Sequence, residues 1–306
     1  HQSDAGFLRL TGESRTDFLQ RQTTNEVRLL SREHPLLTVL TSPTARILDV
    51  LRLVAGPDAI GAITLAGRAA RTAQYLRGKI FFGDKVAVHD ASAEFAQVDL
   101  DGPRATTILH KIGLEVPTSD HTAVGRVGGL NVQVLSQPGL TGAGYRLLAP
   151  SGAIGALSSA LRAAGAVAIS AESYEVLRIE AGLPGPDREL TEDYTPLEAN
   201  LDSAISSDKG CYTGQEIIAR QVTYDKVARR LVGLILSDPV TIRSVVSADN
   251  RTVGVVTSTA YSPRHGNIAL AFVKRLYDQP GSIVQIQLDG SSNASAAVTS
   301  LPFHPK

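Results

Sequence analysis

The chain contains no methionine, no tryptophan and only one cysteine, and its 30 Lys+Arg are matched by 30 Asp+Glu. Each scarcity excludes something. A lone cysteine cannot close an internal disulfide, nor can it alone supply a multi-thiolate zinc or iron–sulfur site. Such thiol usage fits a reducing compartment, and the cytoplasm is the expected location. A formal net charge of zero removes the global basic field that draws in phosphates, so no direct nucleic-acid partner is expected. No apolar run reaches the roughly 18 residues that a membrane-spanning helix requires, so no membrane is expected among the partners. His1-Gln2-Ser3-Asp4 does not read as a signal peptide, and a first residue other than Met points to a trimmed or tagged start.

What is present is an ordinary globular composition, 43% hydrophobic and 20% charged, in 306 residues that suit about two domains. Phe7 to Leu10 reads as a strand, followed by a turn at Thr11-Gly12 and a helix from Ser14 to about Leu30. Leu36 to Leu40, Ile47 to Val54 and Ile60 to Leu65 read as strands. The pattern then predicts a helix over 67–79, a strand over 85–89, a strand over 94–100 and a helix over 103–112. Strands over 129–135 and 144–149 precede a helix over 152–164. Strands and helices without strict alternation argue for an α+β fold. Beyond Arg230 the helical period gives way to short strands separated by turns, which predicts a small β-barrel or sandwich.

The densest run of unusual residues is Lys209-Gly210-Cys211-Tyr212-Thr213-Gly214-Gln215-Glu216-Ile217-Ile218-Ala219-Arg220. Thr213 and Glu216 have capping-box spacing, which predicts a short helix from Thr213 through Arg220. Cys211 would then stand near the positive end of that helix, where a thiolate is favoured, and Lys209 would add to the effect if it points the same way. Gly210 and Gly214 permit close backbone approach or positive φ. The plain alternative is a small buried cysteine beside a capping glutamate.

That motif, followed by Arg229-Arg230-Leu231, resembles the signature of the YgfZ family, within the larger group that contains the glycine-cleavage aminomethyltransferase, the T-protein. The resemblance extends to Phe18-Leu19-Gln20-Arg21-Gln22-Thr23-Thr24-Asn25-Glu26-Val27, to Leu177-Arg178-Ile179-Glu180-Ala181-Gly182-Leu183-Pro184, to Pro196-Leu197-Glu198-Ala199 and to Gly254-Val255-Val256-Thr257-Ser258. It implies an aminomethyltransferase-like folate-binding region over 1–228, built of two interleaved subdomains of mixed sheets and helices, and a C-terminal β-barrel over 229–306. It also implies a tetrahydrofolate cofactor held in a channel. Glu180 would hold the pterin ring, with Arg178, Gln215 and Arg220 as further cofactor contacts. The implied function is support for the assembly or repair of iron–sulfur enzymes, including some that modify tRNA, with Cys211 as the functional thiol and Lys209 beside it. Iron–sulfur enzymes or assembly proteins are the implied partners.

The residues themselves bear on two of these roles. Glu180 shares a helix face with Val176 and Leu177, and a carboxylate on an apolar face must be paired or meet a polar ligand. A salt bridge to Arg178 or Arg220 would satisfy it as well as a pterin would. The stretch Ala45-Arg46-Ile47-Leu48-Asp49-Val50 matches the T-protein segment that ends in two aspartates, the second of them catalytic; here that position is Val50. Valine neither accepts a proton nor stabilises an iminium, which argues against aminomethyl transfer by that route and leaves a folate-dependent one-carbon enzyme as the alternative reading.

Other features carry less. His34, His89, His110, His121 and His265 are scattered singly, Gly139 to Gly144 reads as a loop, and the basic cluster Lys226, Arg229 and Arg230 reads as a solvated strand start or, alternatively, as a face for an acidic ligand such as a folate glutamyl tail. Asn250-Arg251-Thr252 is a formal glycosylation sequon.

Overall fold

A computed structural model describes residues 2–118, 121–288 and 293–303. The chain forms two compact units, one from residues 1–169 and 203–215 and the other from 170–202 and 216–306. The units interleave along the chain, and the first barrel strand begins at Arg229.

The first unit contains β1 (Gln2–Ser3), β2 (Ala5–Thr11), α1 (Arg15–Gln22), β3 (Leu36–Thr41), β4 (Ile47–Ala55), β5 (Ala59–Ala66), α2 (Ala69–Arg77) and β6 (Ala87–Asp90). It continues through β7 (Phe95–Asp101), α3 (Ala105–Lys111), β8 (Thr122–Val127), β9 (Leu130–Pro138), β10 (Ala143–Pro150) and α4 (Ile154–Ala163). Two five-stranded sheets result, ordered β3-β4-β5-β2-β6 and β1-β7-β10-β9-β8, with antiparallel pairing throughout. Phe18 and Leu19 of α1 and Ala73 and Leu76 of α2 pack on Leu8, Leu10, Leu51 and Leu53. The opposite face, with Phe7, Val54 and Ile63, meets Leu135 and Leu148 of the second sheet. The far side of that second sheet is covered by Ile108, Leu109, Leu157 and Leu161 of α3 and α4. The unit is therefore layered helix, sheet, sheet, helix. Central strands such as Ile47–Ala55 are covered on both faces, which is why their sequences are apolar at nearly every position.

The helix expected over 14–30 stops at Gln22. Thr23 is extended (φ −128°, ψ 163°), its Oγ1 donates back to the Leu19 carbonyl at 2.9 Å, and its backbone bridges Leu40 of β3. Thr23 thus turns the chain from helix to strand edge through a local side-chain bond, and the next β-branched residue, Thr24, is held by Val39 and Ala204. Strand β8 has no counterpart in the sequence reading, because only Val127 of its six residues is buried and no alternation marks it.

The second unit contains α5 (Ala171–Glu180), most of α6 (Gln215–Thr223), β11 (Arg229–Leu236), β12 (Val245–Ala248), β13 (Arg251–Ser262), β14 (Gly266–Lys274), β15 (Ile283–Gln287) and β16 (Asn293–Thr299). The strands close into a six-stranded barrel, β11-β14-β13-β12-β15-β16. Its interior alternates Val232, Leu234, Val256 and Ile286 with Ala269, Ala271, Ala294 and Ala296, small residues that suit a narrow barrel. Asp249 and Asn250, both at positive φ, turn the chain between β12 and β13, the conformation that matches strand twist in a tight hairpin. The formal sequon therefore begins in a hairpin turn; residues 139–142 link β9 to β10 as a loop, while Ala143 and Gly144 already belong to β10. α5 starts at Ser170, whose side chain accepts from the Ser173 amide, and packs on β13 and β14.

Candidate functional site

In the first unit the cysteine loop is clamped on both sides of the thiol. Lys209 is buried, and its Nζ donates to the carbonyls of Gln20 (2.8 Å), Thr23 (2.6 Å) and Asn25 (2.7 Å). These lie at and just past the end of α1, where unpaired carbonyls and the negative end of the helix dipole favour a cation. Burial pushes the Lys209 amine down to about 8, with Glu26 opposing and Arg28 adding to the shift. The Lys209 ammonium also stands 5.0 Å from the centroid of the buried Tyr212 ring. Between these anchors Cys211 is exposed as a free thiol. Lys209 is thus engaged with α1 rather than poised as a free charge beside Cys211.

Beyond Tyr212 the loop is pinned again. The Thr213 amide donates to the Arg21 carbonyl at 3.3 Å, and Thr41 Oγ1 donates to the Thr213 carbonyl at 2.6 Å. Gly214 has φ +86°, and a Cβ there would stand 2.8 Å from the Ser42 carbonyl oxygen and 3.1 Å from Ala45 Cα. No capping box forms: Gly214 precedes the first helical residue, and Glu216 pairs with Arg220 at 2.7 Å one turn on. A backbone that must pass this close to the β3–β4 turn, in a left-handed conformation, selects glycine at the position before the helix. Gly210, by contrast, has open space around it.

The same β3–β4 turn leads into Asp49 and Val50. Asp49 is fully buried; it accepts from the amides of Val50 (2.8 Å) and Leu65 (3.0 Å) and from the Thr72 hydroxyl. Burial lifts its carboxyl to about 6, against the pull of these hydrogen bonds and of Arg68. Val50 points to the opposite face of the strand. The carboxylate on this strand is therefore sealed against the helix-covered side and is not presented to a reactant.

In the second unit Glu180 ends α5, and its buried carboxylate accepts from Ser262 Oγ at 2.6 Å. Ser262 in turn accepts from the amides of Arg264 and His265, both at 3.0 Å, which fixes its hydroxyl towards Glu180. Among the described residues no cation pairs with Glu180. Neither arginine considered from the sequence does so: Arg220 pairs with Glu216, and Arg178 is engaged elsewhere. Arg178 makes five donations, to Glu175 twice and to Leu183 O, Glu189 and Ser258 once each. A guanidinium has five N–H groups, so none is left for a cofactor. Arg178 organises the base of the barrel instead. A carboxylate with a single hydroxyl partner retains acceptor capacity, and that fits a heterocycle offering two adjacent N–H donors. Gln215 is half-buried at the start of α6, and Arg220 is exposed on the same helix.

Local pattern gives Ser262, Glu189, Ser258 and Thr72 no site role, because the bonds Ser262–Glu180, Ser258–Glu189 and Thr72–Asp49 form only through the fold. It also reads the histidines as isolated, whereas the rings of His34 and His121 pack with centroids 4.2 Å apart. No cluster of three or more His, Cys, Asp or Glu suited to a metal ion occurs among the described residues. Arg229, read as solvated, bonds Glu198 at 3.0 Å and the Asp193 carbonyl at 2.6 Å, and its guanidinium covers the Tyr194 ring. No helix is long and apolar enough to cross a membrane among the described residues.

Comparison with known proteins gives consistent matches along the chain. The GCVT N-terminal domain model matches residues 2–209, and the glycine cleavage T-protein C-terminal barrel domain model matches residues 229–304. A chloroplastic candidate transferase of Arabidopsis thaliana is 32% identical over 98% of this chain and 70% of its own length. An aminomethyltransferase of Listeria monocytogenes is 29% identical over 99% of this chain and 85% of its own. The crystal structure of glycine cleavage system aminomethyltransferase T from Bartonella henselae shares the fold, with a TM-score of 0.85 at 23% identity, covering 99% of this chain and 84% of that one.

Proposed function

The chain belongs to the glycine-cleavage T-protein family, and we propose that it is a tetrahydrofolate-binding accessory factor that supports the assembly or repair of iron–sulfur enzymes, among them enzymes that modify tRNA, through the thiol of Cys211. The observation that carries this reading is a contrast within the first unit. The thiol is exposed between two buried anchors, whereas Asp49, which matches the first of the two T-protein aspartates, is enclosed and the position after it is Val50. A group meant to react with a second macromolecule must be presented, and it must be held still to limit the entropy lost on approach. Lys209 and Tyr212 supply that rigidity, and the exposure of Cys211 leaves its thiol open to approach.

Tetrahydrofolate, when bound, supplies a carrier for one-carbon units. Glu180 is the residue of this chain that would hold its donor-bearing ring, and Ser262 would keep the carboxylate aimed. The full complement of Arg178 bonds supports a positioning role for that residue, with Gln215 and Arg220 remaining as candidate contacts.

The test is complementation of a strain lacking its own copy, read as the activity of an iron–sulfur enzyme. Cys211→Ala is expected to fold as the parent does and to restore nothing. Full restoration by that variant would remove the thiol from the mechanism. A second reading, aminomethyl transfer, is favoured by the similarity to aminomethyltransferases along the whole chain. Robust formation of methylene-tetrahydrofolate from an aminomethyl donor would replace the first reading with it.

A further inference from the structure

The connection after α2 exposes two consecutive aromatic rings, Phe81 at 69% and Phe82 at 110%. Adjacent exposed phenylalanines on a soluble chain call for a partner, because each ring left in water forgoes its burial energy. These two are held in place. The Asp84 amide donates to the Phe81 carbonyl at 2.9 Å, and the Phe81 amide donates to Asp84 Oδ2 at 3.1 Å, so the turn is closed from both ends. Asp84 Oδ1 accepts from Arg21 at 2.7 Å, which ties the turn to α1.

Arg21 also holds the cysteine loop, since its carbonyl accepts from the Thr213 amide. One residue of α1 thus anchors the aromatic turn by its side chain and the thiol loop by its backbone. Arg21 is therefore the common anchor of the two exposed features within the first unit. The charge around the turn is biased: Arg77 ends α2 and Lys79 follows it, whereas Asp84 and Arg21 offset each other at 2.7 Å, so the uncancelled charge is positive. Lys85 is offset by Glu13 at 2.9 Å.

We infer that the Phe81–Phe82 turn is the docking point for the protein on which Cys211 acts, and that this partner offers an apolar pocket rimmed by carboxylates. The inference rests on the reading of Cys211 as the functional thiol. A preformed turn loses little entropy when its rings enter a pocket, and aromatic anchors surrounded by complementary charge are the usual centres of interface energy. Docking there would deliver the partner's reactive group to the thiol loop.

The test uses the full-length protein in the same complementation strain. The double variant Phe81→Ser, Phe82→Ser is expected to keep the parent's unfolding temperature, tetrahydrofolate binding and Cys211 alkylation rate while losing about tenfold or more of the restored enzyme activity. Phe82→Ser alone, at a fully exposed site, is expected to lose part of it, and Lys79→Glu to weaken it further in low salt. A photoreactive phenylalanine at position 82 should crosslink the same protein that a thiol-tethered crosslinker on Cys211 captures. Full restoration by the double variant would overturn the inference, as would crosslinking at 82 only to a second copy of this chain or to lipid. Restoration by Cys211→Ala would instead strike the underlying reading, so the two failures are distinguishable.

Discussion

The Nζ of Lys209 lies 2.6 Å from the carbonyl oxygen of Thr23, which fastens the loop that carries the only cysteine to the point where α1 ends. The ammonium meets two further carbonyls there, so one buried charge satisfies three backbone acceptors. Substitution by Lys209→Met would strand those acceptors at a cost of about 2–3 kcal/mol. Lys209→Arg is not expected to rescue the loss, because a flat guanidinium cannot bring one nitrogen to three converging oxygens. Thermal unfolding reads the stability, and hydrogen exchange at residues 210–214 reads the loosened loop.

The two glycines beside the thiol should behave oppositely. Gly214→Ala puts a methyl group 2.8 Å from the Ser42 carbonyl oxygen at a φ of +86°, and should cost about 1–3 kcal/mol. Gly210→Ala meets nothing within 4 Å and should stay within about 0.5 kcal/mol of the parent. Chemical denaturation of the two variants side by side checks the pair.

Asp49 gives the fold a pH signature. Its carboxyl is lifted from the ordinary 3.8 to about 6, chiefly by burial. Between these values the folded chain holds a proton that the unfolded chain has released. The contribution is therefore complete below about pH 4 and is lost as pH rises through about 6, roughly 3 kcal/mol in all. Asp101, also raised to about 6 by burial, adds a share with the same sign. Asp49→Asn keeps an acceptor for both amides while Thr72 can turn to accept from the new NH2 group. The variant should lose the Asp49 part of the slope, gaining on the parent between pH 4 and pH 6.5 in urea unfolding.

Much of this architecture is readable from the residues alone. Both-face burial writes itself into Ile47 to Ala55 as an apolar run, and the barrel strands beyond Arg229 carry their own turn signals. Helix ends are harder to read. Thr23 stops α1 through a side-chain bond to Leu19 and a bridge to Leu40, and the bridge needs β3 to be in place. The Thr213 to Glu216 spacing suggests a capping box, but the β3–β4 turn passes so close that Gly214 takes the position before the helix. Glu180 stood out as a carboxylate on an apolar face, yet its partner Ser262 is 82 positions away. Arg178 looked available for a ligand, because Glu189 and Ser258 join it only through the fold. Local pattern identifies the elements, whereas the side-chain partners are set by contacts between segments distant along the chain.

The central claim is that this chain binds tetrahydrofolate through Glu180. Titration calorimetry of the intact protein with tetrahydrofolate, comparing the parent with Glu180→Gln, tests it most directly. Glutamine can still accept from Ser262, so the variant should unfold at the parent's temperature, while the exchange of a charged acceptor for a neutral amide should weaken binding by about tenfold or more. Equal affinity in parent and variant, or no binding heat in either, would contradict the account.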